Sequence, residues 1–300
     1  MLFKNAIVYR LATDEVKDLS DKLKAKAFQP CGRLDETSSG WVSPIVDDHE
    51  MIVFEIAGRA LMCLKTEDKV IIPAIVKEEL SNRVRKLEKE RGNKIGKKEK
   101  QDIKDEIIQE MLPTAPCKPS RIFGYIDYQN KMVVVEATSS KNADKFIESF
   151  RNTVGAEDFK AFPIQVNMSV STEMGRWQKD EAIPDRLLWG DKCSLKNMED
   201  SGTIKYNKQD MGDEGITDYL CADKVIKDAQ FEFDETVMFT FTDAFTFKGL
   251  KYVKFMDAKH EADLQDFMDQ YDFEFNFFTM EVRELVAFMI EQFDGEVDYV

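Results

Sequence analysis

The stretch QFEFDETVMFTFTDAFTFKGL, residues 230–250, decides the fold class because aromatic and polar side chains alternate along it. Successive side chains of a β-strand point to opposite faces, so this alternation predicts strands with one apolar and one polar face. The pattern divides into a three-stranded meander, which we place at residues 224–233, 237–241 and 245–255. Consecutive strands of a meander pair antiparallel, so an antiparallel sheet is expected here.

The remaining chain mixes strand and helix patterns and shows no clear internal repeat. Further strands are predicted at residues 3–11, 51–56, 60–65, 70–72, 122–127, 132–137, 163–166, 187–195 and 203–207. Helices are predicted at residues 13–27, 73–92, 103–111, 139–150, 169–178, 213–221, 261–270 and 279–293. Residues 113–119 contain three prolines and are expected to be irregular. The predicted fold class is α+β, with mostly antiparallel sheets and a protruding helical hairpin arm.

Three regions are expected along this chain. Residues 1–72 and 120–166 together form a central α+β sheet region. Residues 73–119 form the helical hairpin arm, and residues 167–300 form a second α+β region that contains the Phe-rich meander.

Composition restricts the class of protein. The chain has 300 residues, of which 43% are hydrophobic and 33% charged, and this balance is typical of a folded protein. No apolar run is long enough to cross a bilayer, and the first residues lack the pattern of a signal peptide. The five cysteines are widely spaced and form no CxxC pair, which favours a reduced compartment over a zinc site. We therefore expect a cytoplasmic protein without a metal or cofactor.

Charge is distributed very unevenly along the sequence. The formal net charge is −15, which by itself argues against a nucleic-acid partner. Residues 83–104, however, contain ten basic and four acidic residues, whereas residues 231–300 contain five basic and seventeen acidic ones. The basic cluster permits two interpretations. It is either a solvated helical surface with Lys and Glu at i,i+4 spacing or a surface that contacts phosphates.

The sequence contains none of the common catalytic motifs. A phosphate-binding GxxxxGK[ST] loop, a GxSxG nucleophile elbow and an HExxH metal motif are all absent. His49 and His260 are the two histidines, and each lies in an acidic stretch. Asp127, Glu136 and Asp158 could contribute to a metal-dependent nuclease, but their spacing does not distinguish them from ordinary surface carboxylates. We predict no catalytic residue.

The order of short motifs along the chain resembles the RdgC family of recombination-associated proteins. The resemblance covers essentially the whole chain, and although each motif is short, their shared order makes it fairly specific. The matching motifs are Phe3-Lys4-Asn5, Val8-Tyr9-Arg10-Leu11, Phe28-Gln29-Pro30-Cys31-Gly32, Gly40-Trp41-Val42, Val76-Lys77-Glu78-Glu79-Leu80, Lys86-Leu87-Glu88, Lys104-Asp105-Glu106, Leu112-Pro113, Ile126-Asp127, Lys208-Gln209-Asp210, Lys224-Val225, Leu250-Lys251 and the helix around residues 281–290.

The resemblance implies a ring-shaped homodimer that encircles duplex DNA with little sequence preference and restrains RecA-type recombinase without being an enzyme. It assigns ring closure and DNA contact to Lys208 and Gln209, at a tip of the 167–300 region. A second ring contact is made in the family by an aromatic residue, where this chain has Pro119. That departure puts the strength of this contact in doubt, and Phe123 is a possible substitute.

Further phosphate contacts are expected from Lys224 and from four lysines of the arm, Lys94, Lys97, Lys98 and Lys100. An acidic exterior is compatible with DNA binding if the basic side chains line an enclosed channel. The resemblance also implies association with the nucleoid. Two alternatives remain open, namely a carboxylate-metal nuclease and an acidic protein-binding module that mimics DNA.

Overall fold

The structure is a computed structural model, and it describes residues 2–45, 51–197, 202–209, 211, 216, 220, 224–262 and 264–298. The chain divides into two compact units. The first unit comprises Met1–Lys17, Phe54–Leu61 and Phe123–Val300, and the second comprises Asp18–Val53 and Met62–Ile122. Each unit therefore combines separate segments of the sequence, and two long strands contribute residues to both units.

Twelve strands and seven helices lie in the described part of the chain. The strands are β1 (Asn5–Leu11), β2 (Thr37–Val42), β3 (Phe54–Ile56), β4 (Arg59–Lys69), β5 (Cys117–Asp127), β6 (Met132–Val135), β7 (Ala161–Pro163), β8 (Leu187–Asn197), β9 (Thr203–Asn207), β10 (Lys224–Phe233), β11 (Val237–Thr242) and β12 (Thr246–Tyr252). The helices are α1 (Leu19–Lys24), α2 (Pro73–Arg91), α3 (Lys97–Met111), α4 (Ser140–Val154), α5 (Val170–Lys179), α6 (Phe255–Glu261) and α7 (Phe267–Gln292). The chain is therefore a mixed helix and strand protein with a large antiparallel sheet, as the sequence predicts.

The first unit is organised around the Phe-rich meander. Strands β10, β11 and β12 pair antiparallel in sequence order, and the sheet continues through β8 to β9 on one side and through β1 to β6 on the other. Phe231, Phe239 and Phe247 are buried on one face, where Trp177 of α5 packs against Phe231. Burial of each such side chain contributes about 1.5–3 kcal/mol, so this apolar face fixes which side of the sheet remains for solvent.

Helix α7 covers part of that apolar face. Phe288 packs against Phe233, and Phe278 stacks on Phe3 with ring centroids 4.8 Å apart. The sequence prediction of two separate terminal helices at residues 261–270 and 279–293 is wrong, because α7 continues through the segment between them. Tyr271, Phe275 and Phe278 are buried at helical spacing, and their packing overrides the strand preference of aromatic residues.

The second unit contains the helical hairpin arm. Helices α2 and α3 pack through the buried side chains of Val76, Ile103 and Ile107, together with Ile95 from the loop between the helices. Pro73 stands at the start of α2, where its missing N–H costs no hydrogen bond, and Gly92 ends the helix with a left-handed φ of 70°. Two helices thus pack together within residues 73–111, where the sequence predicts a helical hairpin.

Several local predictions differ from the structure, and strand β2 was not predicted. The first helix is shorter than predicted, since residues 13 and 14 bind the Lys131 ammonium through the Thr13 carbonyl and the Asp14 carboxylate. Strand β4 ends at Lys69, so residues 70–72 do not extend it. The predicted irregular segment 113–119 becomes strand from Cys117 onward. The predicted helix at residues 213–221 lies largely outside the described residues. No described helix is both long and apolar enough to span a bilayer.

Candidate nucleic-acid interface

A groove of about 860 Å³ lies in the first unit, on the polar side of the sheet. Its walls come from four strands of the sheet and from the segment that follows β9. The lining residues are Trp189, Gly190, Asp191, Lys192, Lys208, Gln209, Met211, Gln230, Glu232, Met238 and Lys251. The structure therefore places Lys208 and Gln209, the first two residues predicted for DNA contact, in one groove with Lys192 and Lys251, for which no DNA contact was predicted.

The strand register places two lysines of β12 on the polar face. Lys251 pairs with Met238 and Lys248 pairs with Thr240, so three steps along β12 correspond to two steps along β11. The additional residue is accommodated at Gly249, whose φ of 62° is left-handed and favours glycine. Directly paired residues share a face of the sheet, and both lysines therefore point away from the aromatic core.

A second irregularity shapes the floor of the groove. On β8, four steps from Cys193 to Trp189 correspond to two steps on β10. Gly190 lies in this wide region, and a Cβ on it would lie 2.6 Å from the Gln230 side chain. Gln230 is buried and accepts a hydrogen bond from the Asp191 amide at 3.3 Å. A glycine at position 190 therefore makes room for the glutamine side chain that braces this wall.

The segment that carries Lys208 and Gln209 is fixed to the same wall. The Gln209 amide donates to the Asp191 carbonyl at 3.3 Å, and Lys208 adopts a left-handed φ of 56°. Both side chains are exposed. A positive φ is uncommon for lysine, and here it turns the chain sharply as it leaves β9.

The electrostatics of the groove are basic but not uniformly so. Lys192, Lys208 and Lys251 contribute three positive charges, whereas Asp191 and Glu232 contribute two negative ones. None of the three lysines has an ion-pair partner within the part of the chain that the structure describes. Their ammonium groups can therefore contact a phosphate backbone, while Gln209 offers a neutral hydrogen-bond donor.

The basic cluster of the arm separates into neutralised and exposed charges. The Arg83 guanidinium binds Glu110 and Glu79, and both hydrogen bonds raise the pKa of Arg83 and stabilise its charge. Arg91 pairs with Glu99 across the tip of the hairpin. These arginines support the solvated-surface interpretation of the cluster, since their charges are neutralised by ion pairs within the arm.

Four lysines at the tip of the arm behave differently. Lys97 and Lys98 occupy the first turn of α3, Lys94 precedes it, and Lys100 ends that turn. The positive end of the helix dipole lies here, so lysine is unfavourable at these positions, whereas a bound phosphate is favoured. Lys94, Lys97 and Lys98 are exposed, and Lys100 is half-buried. The lysine charges therefore repel the positive end of the α3 dipole, and a bound anion would relieve this repulsion.

Comparison with known protein families places this chain clearly. A family model described as "Putative exonuclease, RdgC" matches residues 1–296. The chain belongs to the RdgC family. It is 31% identical to the recombination-associated protein RdgC of Proteus mirabilis, with 99% of each chain covered. It is 28% identical, again over 99% of each chain, to the proteins of the same name from Yersinia pestis and Yersinia pseudotuberculosis.

Two other residues expected from the RdgC resemblance lie outside the groove. Lys224 begins β10 and pairs with Asn197. It is six residues, or roughly 20 Å of extended strand, from Gln230. Pro119 is exposed near the start of β5 in the second unit, outside the part of β5 that pairs with β6. Phe123 is half-buried farther along β5.

The carboxylates considered for a nuclease have other contacts. Asp127 is buried and accepts hydrogen bonds from the backbone and side-chain amides of Asn130, which closes the turn between β5 and β6. Glu136 accepts from the Lys4 amide at 3.1 Å, and burial raises its pKa. Within the described ranges, no group of three or more His, Cys, Asp or Glu side chains could hold a metal ion. His260 is exposed on α6, and His49 lies outside the described residues.

Proposed function

We propose that this chain is a non-enzymatic protein that binds duplex DNA with little sequence preference and modulates RecA-dependent recombination. The observation that supports this most directly is the groove in which Lys208 and Gln209 lie beside Lys192 and Lys251. The names of the relatives support the association with recombination. The lysines at the tip of the arm, at the positive end of α3, provide a second group of phosphate contacts.

The proposed binding is backbone-directed rather than base-specific. Lysine ammonium groups neutralise phosphates without reading bases, so affinity is predicted to depend on salt and not on sequence. The direct test measures fluorescence anisotropy of labelled duplexes with unrelated sequences over a range of salt concentrations. Linear log–log plots with a clearly negative slope for every duplex support the proposal, and a slope near zero contradicts it.

The groove has a matched control within the same unit. K192E/K251E reverses two groove charges, while K141E/K179E makes the same change on exposed helical lysines of α4 and α5. We expect the groove variant to bind every duplex less tightly and to reduce the salt slope by about 2, because about one counterion is released per phosphate contact. Equal losses in both variants would mean that net charge, and not the groove, determines binding.

We further propose that two copies form a ring in which Lys208, Gln209 and the Pro119 segment make the contacts between subunits. Encirclement would allow weak individual contacts to retain DNA, and it would be consistent with an acidic exterior and with association with the nucleoid. Mass measurement in solution and particle imaging test the ring directly. A closed dimer with a central hole wide enough for duplex DNA supports it, and a monomer contradicts it.

Restraint of a RecA-type recombinase is tested separately, in a strand-exchange reaction with purified recombinase. We expect the wild-type chain to slow exchange and K192E/K251E to do so much less. Inhibition by both to the same degree would separate this effect from DNA binding by the groove.

A second candidate function, a nuclease, is favoured by the description of the matching family model. Linear and closed circular duplexes incubated with the chain and Mg²⁺ or Mn²⁺ distinguish it from the first. Shortening of only the linear substrate, abolished by EDTA, would establish exonuclease activity. Intact substrates under conditions in which the chain binds them would support the non-enzymatic proposal.

A further inference from the structure

Two cysteines that are distant in sequence meet in the second unit. Cys31 lies in the loop before β2, and Cys117 is the first residue of β5. The Cys117 thiol lies close enough to the Cys31 thiol to raise its pKa, and the Cys31 sulfur donates to the Asp35 carbonyl oxygen at 3.3 Å. Both thiols are free in this structure.

The loop that carries Cys31 is held against the end of β4. The Cys31 amide donates to the Glu67 carboxylate at 3.2 Å. Farther along the same loop, the Glu36 carbonyl accepts from the Lys69 amide at 2.8 Å. Two separate hydrogen bonds therefore fix this loop on β4, and the position of the Cys31 thiol is determined by backbone structure.

The segment that carries Cys117 is held at the same end of β4. The Pro116 carbonyl accepts from the Val70 amide at 2.9 Å, and the Ala115 carbonyl accepts from the Lys69 ammonium at 3.3 Å. Because both segments are fixed on residues 67–70, at the end of β4, the fold brings the two thiols close together.

The two thiols differ from the other described cysteines in their access to solvent. Cys117 is exposed and Cys31 is half-buried, whereas Cys63 and Cys193 are buried. Thiol oxidation requires access for the oxidant and a partner within reach. Only the pair Cys31 and Cys117 satisfies both conditions among the described residues.

We propose that Cys31 and Cys117 form a reversible modification site, in which a small-molecule disulfide oxidises the two thiols to one intramolecular disulfide. This property is independent of the proposed DNA binding. The bond would join the loop before β2 to the start of β5, and it would restrain the segment that contains Pro119.

The chemistry is ordinary thiol–disulfide exchange. The Cys117 thiolate attacks one sulfur of the oxidant, the oxidant's S–S bond breaks, and one thiolate leaves. The Cys31 thiolate then attacks the Cys117 sulfur and displaces the second thiolate. Two protein thiols are oxidised, one small disulfide is reduced to two thiols, and the two protons pass to the thiolates that leave.

Cys117 is the first thiol to react because it is the exposed one. Burial, followed by the nearby Cys117, raises the pKa of the Cys31 thiol above its usual value, so Cys31 forms a thiolate less readily. The second step therefore becomes faster as pH rises toward the pKa of Cys31. Its proximity to Cys117 compensates for a low thiolate fraction by supplying a high local concentration.

The test treats the reduced full-length chain with glutathione disulfide, blocks remaining thiols with an alkylating reagent, and maps the digested peptides by mass spectrometry without reduction. We expect one cross-linked pair of peptides that contains Cys31 and Cys117, and recovery of both thiols after dithiothreitol. The yield should not depend on protein concentration, and in denaturing urea the preference for this pair should disappear.

Two variants keep the proposal falsifiable. C117S should leave Cys31 alkylatable, and C117S/S120C, which moves the thiol three residues along the same exposed strand, should form no bond to Cys31. The proposal is wrong if Cys31 and Cys117 accumulate as separate glutathione adducts, if they link different chains, or if C117S/S120C cross-links as well as the wild type.

Discussion

The groove and the arm tip both present lysines, but they present them in opposite ways. In the arm, the basic residues are close in sequence, and Arg83 and Arg91 are paired with acids of the same hairpin. In the groove, Lys192, Lys208 and Lys251 are separated by 16 and 43 residues, and the sheet brings them together. A run of basic residues in the sequence thus overstates the positive charge that is available to a ligand. Basic residues that are dispersed in the sequence can provide more than the sequence suggests.

The sharpest way to break this comparison is to reverse all three positive charges of the groove. K192E/K208E/K251E is expected to weaken duplex binding on the order of 100-fold at low salt, because three phosphate contacts become repulsive. Anisotropy titrations give the affinity, and circular dichroism confirms that the fold is retained. A loss smaller than that caused by charge reversal in the arm would invert the proposed ranking of the two regions.

Melting the arm tests whether it contributes through its shape. Ile107 is almost fully buried between α2 and α3, and I107A should destabilise the arm by about 2–5 kcal/mol. Hydrogen exchange should rise within the arm, while protection of the β10–β12 meander remains. Duplex binding should fall by about tenfold at most. If I107A abolished binding, the groove would not be an independent site.

Charge reversal at the arm tip should have a moderate effect. K97E/K98E is expected to weaken binding by about tenfold for all sequences alike. The same variant should slightly stabilise the arm, since glutamate suits the first turn of a helix better than lysine does. K24E/K26E, on exposed lysines of the same unit, is the matched control. A change in sequence preference, in place of a uniform loss, would indicate base contacts.

The smallest effects concern pH, where one carboxylate of the arm and one carboxylate of the first unit outside the groove should act in opposite directions. Arg83 lowers the pKa of Glu110, so the stabilisation from Glu110 is present at neutral pH and is lost as pH falls through its lowered pKa. Burial raises the pKa of Glu136, so stability falls as pH rises through the range between its ordinary and raised pKa. Thermal melts of the wild type, E110Q and E136Q over a range of pH give the melting temperature as a function of pH. Each variant should lack one part of the wild-type pH dependence, and the two missing parts should have opposite signs.

Sequence patterns predict the parts of this fold that depend on local periodicity. The alternation of residues 230–250 gives the meander, and the proline and glycine at the ends of α2 give the arm. The continuous helix α7 was not predicted, because its burial depends on aromatic partners such as Phe3 and Phe233. A pattern within one segment carries no information about the partners that arrive from elsewhere.

The candidate site was predicted only in part for a related reason. Lys208 and Gln209 followed from the family resemblance, whereas Lys192 and Lys251 follow from strand register. Simple alternation does not predict that Lys248 and Lys251 share a face, because side chains three residues apart lie on opposite faces of a regular strand. Only the irregular pairing at Gly249 reconciles their spacing with a shared surface.

Because β12 contains one additional residue, the polar surface should survive deletion of Gly249 but not replacement of Gly249 by a β-branched residue. Deletion of Gly249 would leave Lys248, Leu250 and Lys251 in ordinary alternation, with the leucine inward and both lysines outward. Replacement of Gly249 by valine would disfavour the left-handed backbone by roughly 1–2 kcal/mol and promote a regular strand, in which Lys251 would turn inward. A shortened chain would thus preserve this surface, and a chain of natural length could lose it.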